Sequence, residues 1–158
     1  MPHIEAIDPI TDEKALYEEL FAPLPVPMPG LDAEPGSQWT PPAGVFAARE
    51  DGVLLAWVVY FARDPGSPHA VLQWITVERE RQRITAGHNT EHSGTPDEID
   101  TLTALASAAA AAARAAGYTH LHWHPAEPDL AEGIALGLHA QTTRQNGYTS
   151  YSLTLHRN

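Results

Sequence analysis

The sequence predicts an α/β domain in which helices flank a mixed, mainly antiparallel sheet, with residues 1–158 forming one domain. Two apolar runs, 45–49 and 54–62, flank Glu50, Asp51 and Gly52, which is a strong signal for an antiparallel hairpin. Later in the chain, a helix-forming stretch leads into a strand-like run, which indicates a β-α-β crossover. Hairpin strands followed by a crossover place both strand directions in one sheet.

The first half of the chain predicts four strands, one helix and one long loop. Residues 3–7 alternate and predict the first strand, and 11–21 have apolar side chains at helical spacing. Residues 23–42 are rich in proline and predict an irregular loop, which is either a lid or substrate loop or a segment that wraps the surface. The run 54–62 is almost wholly apolar, as in a central strand, and 70–77 predict its antiparallel neighbour.

The second half begins with a long helix that has recognisable ends. Alanine, the best helix former, dominates residues 99–116. Thr95 and Glu98 form a capping box, Pro96 suits the first helical position, and Gly117 ends the helix. The remaining elements are predicted as a strand, a helix and a last strand, over 118–123, 127–138 and 149–155.

The composition excludes several classes of protein. The chain is 43% hydrophobic, as in a globular domain, and no run of about 18 apolar residues predicts a membrane span. It has no cysteine, which excludes disulfides, thiolate metal sites and cysteine nucleophiles. A formal charge of −11 argues against nucleic acids and membranes as partners, and either favours cationic amines or only keeps the protein soluble. We expect a cytoplasmic protein, because no signal peptide is recognisable.

Four segments follow one another in an order known from a large enzyme superfamily. A long helix runs through Gly117 into the strand 118–123, the last helix ends in 135–138 (Ala-Leu-Gly-Leu), and 146–155 makes a closing strand. Together with the turn and strand over 64–77, these segments resemble the GNAT (Gcn5-related N-acetyltransferase) superfamily. They are most similar to one half of a tandem-GNAT protein such as mycothiol synthase. The resemblance implies a GNAT-like fold and an acyltransferase activity.

The resemblance also implies acetyl-CoA as the cofactor, with its diphosphate held by a loop after the fourth strand and by the next helix start. The nearest match to the family's loop is 82–87, which has one glycine, in a shifted position. Asp97, Glu98 and Asp100 place three carboxylates on the helix start that would otherwise attract phosphate. The cofactor-binding residues that the resemblance implies are Ile75, Val77, Arg83, Thr85, Ala86 and Gly87.

Three further residues are implied as catalytic groups that move protons. His124 could be a general base, since its strand end would lie beside the acyl thioester. Glu78 lies where some family members place a base, and Tyr148 could supply a proton or be a core aromatic residue. Many members carry a tyrosine general acid four residues before the glycine of the last helix, and this chain has Gly133 at that position.

His120, His122 and His124 alternate along a predicted strand and would share one face. Two histidines so spaced can chelate a metal ion. The alternative interpretation places the three imidazoles among polar groups or along a cleft without a metal. We predict no metal site from this run.

The sequence leaves two main functions open. The first is an N-acyltransferase that transfers an acetyl or acyl group from acyl-CoA to a small, cationic amine. The second is a degenerate GNAT-fold protein that does not use acyl-CoA and binds another ligand or partner, or performs different chemistry in the cleft. A histidine-metal enzyme is a third interpretation. The resemblance implies a homodimer or a partner GNAT-like chain as the assembly.

Overall fold

The computed structural model describes residues 3–7, 43–64, 66–78, 96–124 and 128–155, which form one seven-stranded sheet and two helices. The strands are β1 (His3–Ile7), β2 (Gly44–Glu50), β3 (Val53–Ala62), β4 (His69–Thr76), β5 (His120–Trp123), β6 (Gln141–Gln145) and β7 (Tyr148–Thr154). The helices are α1 (Pro96–Ala115), between β4 and β5, and α2 (Pro128–Leu138), between β5 and β6.

The sheet has the order β1-β2-β3-β4-β5-β7-β6. Only β4 and β5 run parallel, and every other neighbouring pair is antiparallel. The crossover through α1 explains this single parallel pair, because parallel neighbours cannot be joined by a tight turn. The predicted class, a mixed and mainly antiparallel sheet with flanking helices, is confirmed.

Turn residues end the elements where the sequence predicts. Asp51 and Gly52, between β2 and β3, both have positive φ angles of 51° and 80°, as a tight hairpin turn requires. Gly117 has a φ of 100° directly after α1 and ends that helix. The predicted boundaries of the β2–β3 hairpin and of α1 are therefore confirmed to within a few residues.

The main core lies between the sheet and both helices. Alanines 106, 109 and 113 of α1 are fully buried, and their small side chains let the helix approach the sheet. Trp123 on β5 is fully buried and its indole N–H donates to the carbonyl of Ala131 on α2 at 3.1 Å. A second apolar cluster occupies the opposite face of the sheet and consists of Val45, Ala47, Leu54, Trp57 and Val77.

The strand β6 is missing from the sequence prediction, which has only one strand after α2. Its five residues are all exposed and polar, so no alternation of apolar side chains marks it. The turn that follows carries the available signal: Asn146 and Gly147 have φ angles of 52° and 78°, as in a two-residue hairpin. The prediction of one closing strand is therefore wrong, and a hairpin takes its place.

Several predicted features lie outside the described residues. They are the helix over 11–21, the proline-rich loop over 23–42, the cap at Thr95 and the loop over 82–87. Within the described part of the chain, neither α1 nor α2 combines the length and the apolar character needed to cross a membrane.

Candidate functional site

The strands β4 and β5 separate partway along their length. Their parallel ladder extends only from the His69–His120 pair to the Val71–His122 pair. The ladder between β3 and β4 continues to Thr76, the last residue of β4. Among the described residues, the second half of β4 therefore has a neighbour on the β3 side and none on the β5 side, and we call this stretch the open edge of β4.

Trp74 and Thr76 direct their backbone groups to the open edge. The carbonyl of His69 accepts a hydrogen bond from the N–H of Arg63 at 2.9 Å, on the β3 side. Successive residues of a strand direct their N–H and C=O groups to alternate sides, and β4 pairs with β3 without a register shift. The even-numbered residues consequently face the β5 side. A strand with an open edge of this kind can bind an extended ligand that carries amide groups.

An acidic cleft of about 570 Å³ adjoins the end of β4 and the first turns of α1. Its walls include Thr76, which is only 7% exposed, and apolar side chains such as Ile4 and Ala56. Its carboxylates are Glu50, Glu78, Asp97, Glu98 and Asp100. Carboxylates suit a helix N-terminus but repel a phosphate that would bind there. The cleft therefore suits a cationic group better than a diphosphate.

Three histidines from β4 and β5 form a cluster on the sheet face opposite the helices. Nδ1 of His69 lies 2.7 Å from Nε2 of His122, so that one ring donates a hydrogen bond to the other. The ring of His120 stacks on that of His69 with centroids 4.5 Å apart, and its Nδ1 lies 2.9 Å from the hydroxyl of Thr119. Among the described residues, no group of three or more histidine or acidic side chains is arranged to hold a metal ion.

The titration of His122 is shifted by its surroundings. Burial, and then His69, Arg63, His120 and His124, lower the pKa of His122 from 6.5 to about 4. All four neighbours act in the same direction because each either carries or can acquire a positive charge. His122 is therefore neutral near pH 7, with one ring nitrogen protonated.

The three predicted catalytic residues lie in three different places. β5 ends at Trp123, and His124 is exposed just beyond the strand, where it still acts on the titration of His122. A proline follows His124 in the sequence, and proline has no N–H group to donate to a ladder. Glu78 lies in the helical turn after β4 and lines the acidic cleft. Tyr148 is 80% exposed at the start of β7, which rules out its alternative role as a core aromatic residue.

Two of the predicted cofactor-binding residues are described. Val77 belongs to the apolar cluster on the sheet face opposite the helices, and Ile75 packs against that cluster. The backbone N–H and C=O groups of Ile75 point to β3, because odd-numbered residues of β4 face that strand. Their neighbours Trp74 and Thr76 face the open edge instead. The other predicted residues lie outside the described part of the chain: Arg83, Thr85, Ala86 and Gly87.

Gly133 brings α1 and α2 into close contact. A Cβ atom at Gly133 would lie 2.7 Å from Cγ2 of Ile99, and a Cβ atom at Gly137 would lie 2.7 Å from Cγ2 of Thr103. From the first contact to the second, the sequence advances by four residues in α1 and by four residues in α2. The two helices therefore run in the same direction. Ile99 fills the space that a side chain at position 133 would need. The tyrosine that many members of the family carry at this position has no room beside Ile99 in this chain.

His69 belongs to the histidine cluster, although the sequence pattern does not predict it there. His69 lies one residue before the strand predicted over 70–77, and His120 lies near the start of the next one. A right-handed crossover places the starts of two parallel strands side by side. That rule could have identified the pair, although it does not set the register that places His69 opposite His120.

Comparisons with known proteins identify the fold. No family model and no curated protein matches the chain. It is similar to the GNAT domain of S. lividans PAT, with a TM-score of 0.56 and 17% identity over 98% of this chain and 90% of that one. A probable acetyltransferase from Staphylococcus epidermidis gives a TM-score of 0.58 and 12% identity, with 99% and 100% of the two chains covered. Salmonella typhimurium yncA, whose structure contains its cofactor acetyl-CoA, gives 0.57 and 12%, with 99% and 95% covered. The chain thus has the GNAT fold, as the resemblance implies.

Proposed function

We propose that this protein is an N-acyltransferase that takes an acyl group from an acyl-CoA thioester and transfers it to a small, cationic amine. The open edge of β4 is the observation that supports this proposal. It occurs in a fold whose solved examples include acetyltransferases, one of them with acetyl-CoA bound.

The described residues suit the pantetheine arm of acyl-CoA but not its diphosphate. The pantetheine arm carries amide groups, and the backbone N–H and C=O groups of Trp74 and Thr76 are placed to pair with them as a neighbouring strand would. The acidic start of α1 does not fit the diphosphate, so we assign no described residue to it. Arg83, Thr85, Ala86 and Gly87 remain proposed for that role on the resemblance alone. Bound acyl-CoA would supply an activated thioester.

Three side chains are proposed to move protons. A cationic amine must lose a proton before it can attack, and the carboxylate of Glu78 or the imidazole of His124 can accept that proton. The exposed hydroxyl of Tyr148 can donate one to the departing thiolate. A backbone N–H of Trp74 or Thr76 can donate to the oxyanion that forms at the carbonyl.

The acidic cleft supports a cationic acceptor. Its carboxylates adjoin Thr76, at the end of the strand that we propose holds the acyl donor. A net charge of −11 adds a long-range attraction for amines, which weakens as salt is added. Diamines, polyamines and amino sugars are the acceptors to examine first.

A transfer assay tests the proposal. The protein is mixed with acetyl-CoA and a panel of amines, and thiol release and product mass are measured. We expect acetylation of a cationic amine and at least a tenfold lower rate for Trp74→Pro than for Trp74→Ala. The proline variant removes the N–H at the open edge, whereas both variants lose the same indole. An absence of transfer, together with no binding of acetyl-CoA at millimolar concentration, would refute the proposal.

A second function is favoured by the acidic start of α1. In this alternative the chain is a degenerate GNAT-fold protein that does not use acyl-CoA and binds another ligand or partner. Asp97 and Asp100 are exposed on the first turns of α1, where a diphosphate would otherwise find a favourable helix end. This alternative is supported if the protein does not bind acetyl-CoA but does bind an amine.

A further inference from the structure

We propose that His69 and His122 form an acid-sensitive latch between β4 and β5, at the point where the two strands separate. The latch is closed when both imidazoles are neutral and opens when both are protonated. This inference does not depend on the acyltransferase proposal, because it concerns the stability of the strand pair itself.

The geometry of the pair permits only one proton between the rings. Nδ1 of His69 and Nε2 of His122 are 2.7 Å apart, and the ring planes differ by 23°. The ring centroids are 5.0 Å apart, the distance expected when the two nitrogens face each other head to head. A neutral pair places one N–H and one lone pair in this contact. If both rings were imidazolium, two N–H groups would face each other and the hydrogen bond would be lost.

The charges around His122 make a second proton costly. The perturbing groups are Arg63, directly after β3, His69 on β4, His120 on β5, and His124 just beyond the end of β5. On β7, the residue opposite His122 is Ser152, which has no charge. The groups that perturb the titration of His122 include no carboxylate. Protonation therefore adds charge to a cluster for which the described residues supply no neutralising carboxylate, and solvent screening offsets this repulsion only in part.

The direction of the pH effect follows from the lowered pKa of His122. In the unfolded chain the group titrates at about 6.5, and in the folded protein at about 4. Above pH 6.5 His122 is neutral in both states and contributes no pH dependence. Between pH 6.5 and 4 the unfolded chain binds more protons, so the folded state loses up to about tenfold in its equilibrium constant per pH unit.

The position of the latch connects its opening to the open edge of β4. The ladder between β4 and β5 has its last pair at Val71 and His122. His69 is paired with His120 two residues earlier, so the hydrogen bond crosses the strands diagonally at the end of the ladder. When the bond is lost, the short ladder is the part of the sheet that we expect to loosen first.

Urea unfolding from pH 7.5 to 4.5 tests the latch in the wild type, in His122→Gln and in the control variant His3→Gln. Below pH 6.5, the equilibrium constant for folding should fall with each pH unit in the wild type and in the control. We expect this fall to be up to about tenfold larger than in His122→Gln. The control replaces an exposed histidine of β1, which β2 and β3 separate from β4 and which is not among the groups that perturb His122. Equal pH dependence in all three proteins would overturn the proposal.

Two measurements on the wild type keep the proposal testable if His122→Gln does not fold. Ring ¹⁵N shifts should show His122 titrating well below 6.5, and a titration at 6.5 or above would overturn the latch. Amide exchange, corrected for its intrinsic pH dependence, should become faster at residues 120–122 relative to residues 56–60 on acidification. Uniform changes across the sheet would also contradict a local latch.

Discussion

We expect replacement of Gly133 by leucine to destabilise the folded protein by about 3 kcal/mol, at the upper end of the usual cost of overpacking a core. The first atom added at this position would lie 2.7 Å from Cγ2 of Ile99 and 3.0 Å from its Cδ1. Ile99 is in turn partly buried against the main core, so it cannot move away freely. Urea unfolding measures the loss.

The control for this prediction uses the neighbouring residue. Glu132→Leu places the same side chain on the exposed side of α2, where we expect a change of less than about 0.5 kcal/mol. The double variant Gly133→Leu with Ile99→Ala should recover part of the loss, because it removes the atoms that collide. A Gly133→Leu protein as stable as the wild type would show that α1 and α2 do not pack as described.

Neutralising two carboxylates at the start of α1 is expected to strengthen the binding of acetyl-CoA by about fivefold. Asp97→Asn with Asp100→Asn removes two negative charges where the diphosphate of a GNAT cofactor would approach, and each is worth about 0.5 kcal/mol at a helix end. Glu98, which has an interaction partner, is left unchanged. Calorimetric titration at low salt measures the difference in affinity.

Two controls separate local repulsion from net charge. Asp64→Asn removes an exposed charge in the turn before β4, at the other end of that strand, and should leave the affinity within twofold of the wild type. Added salt should reduce the difference between the wild type and the double variant, because it screens repulsion between exposed charges. Equal affinity for wild type and double variant at every salt concentration would show that the carboxylates do not face the ligand.

Local signals allow most of the fold to be predicted from the sequence. Asp51 and Gly52 mark a hairpin, and the alanine-rich run before Gly117 marks α1, because both features depend on residues close in the chain. The strand β6 lacks such a signal, since Gln141–Gln145 is exposed on both faces. Its pairing with β7 comes from the turn and from backbone hydrogen bonds, which an apolar pattern does not report.

The candidate site depends on contacts between distant residues, so less of it could be predicted. The resemblance implies Glu78 as a base, and the structure places Glu78 in the acidic cleft, which leaves that role a prediction. The open edge at Trp74 and Thr76 depends on where the β4–β5 ladder ends. The contact between His69 and His122 joins residues 53 positions apart. The sequence marks Gly133 only as the position of an absent tyrosine, and its packing role depends on the position of Ile99 on another helix.

The central claim, that the open edge of β4 holds the acyl donor, is tested most directly by NMR of the labelled protein titrated with acetyl-CoA. We predict saturable shifts of the backbone N–H resonances of Trp74 and Thr76, while the N–H resonances of residues 46–48 on β2 stay unchanged. Saturable binding that leaves Trp74 and Thr76 unaffected, or no binding at millimolar acetyl-CoA, would contradict it.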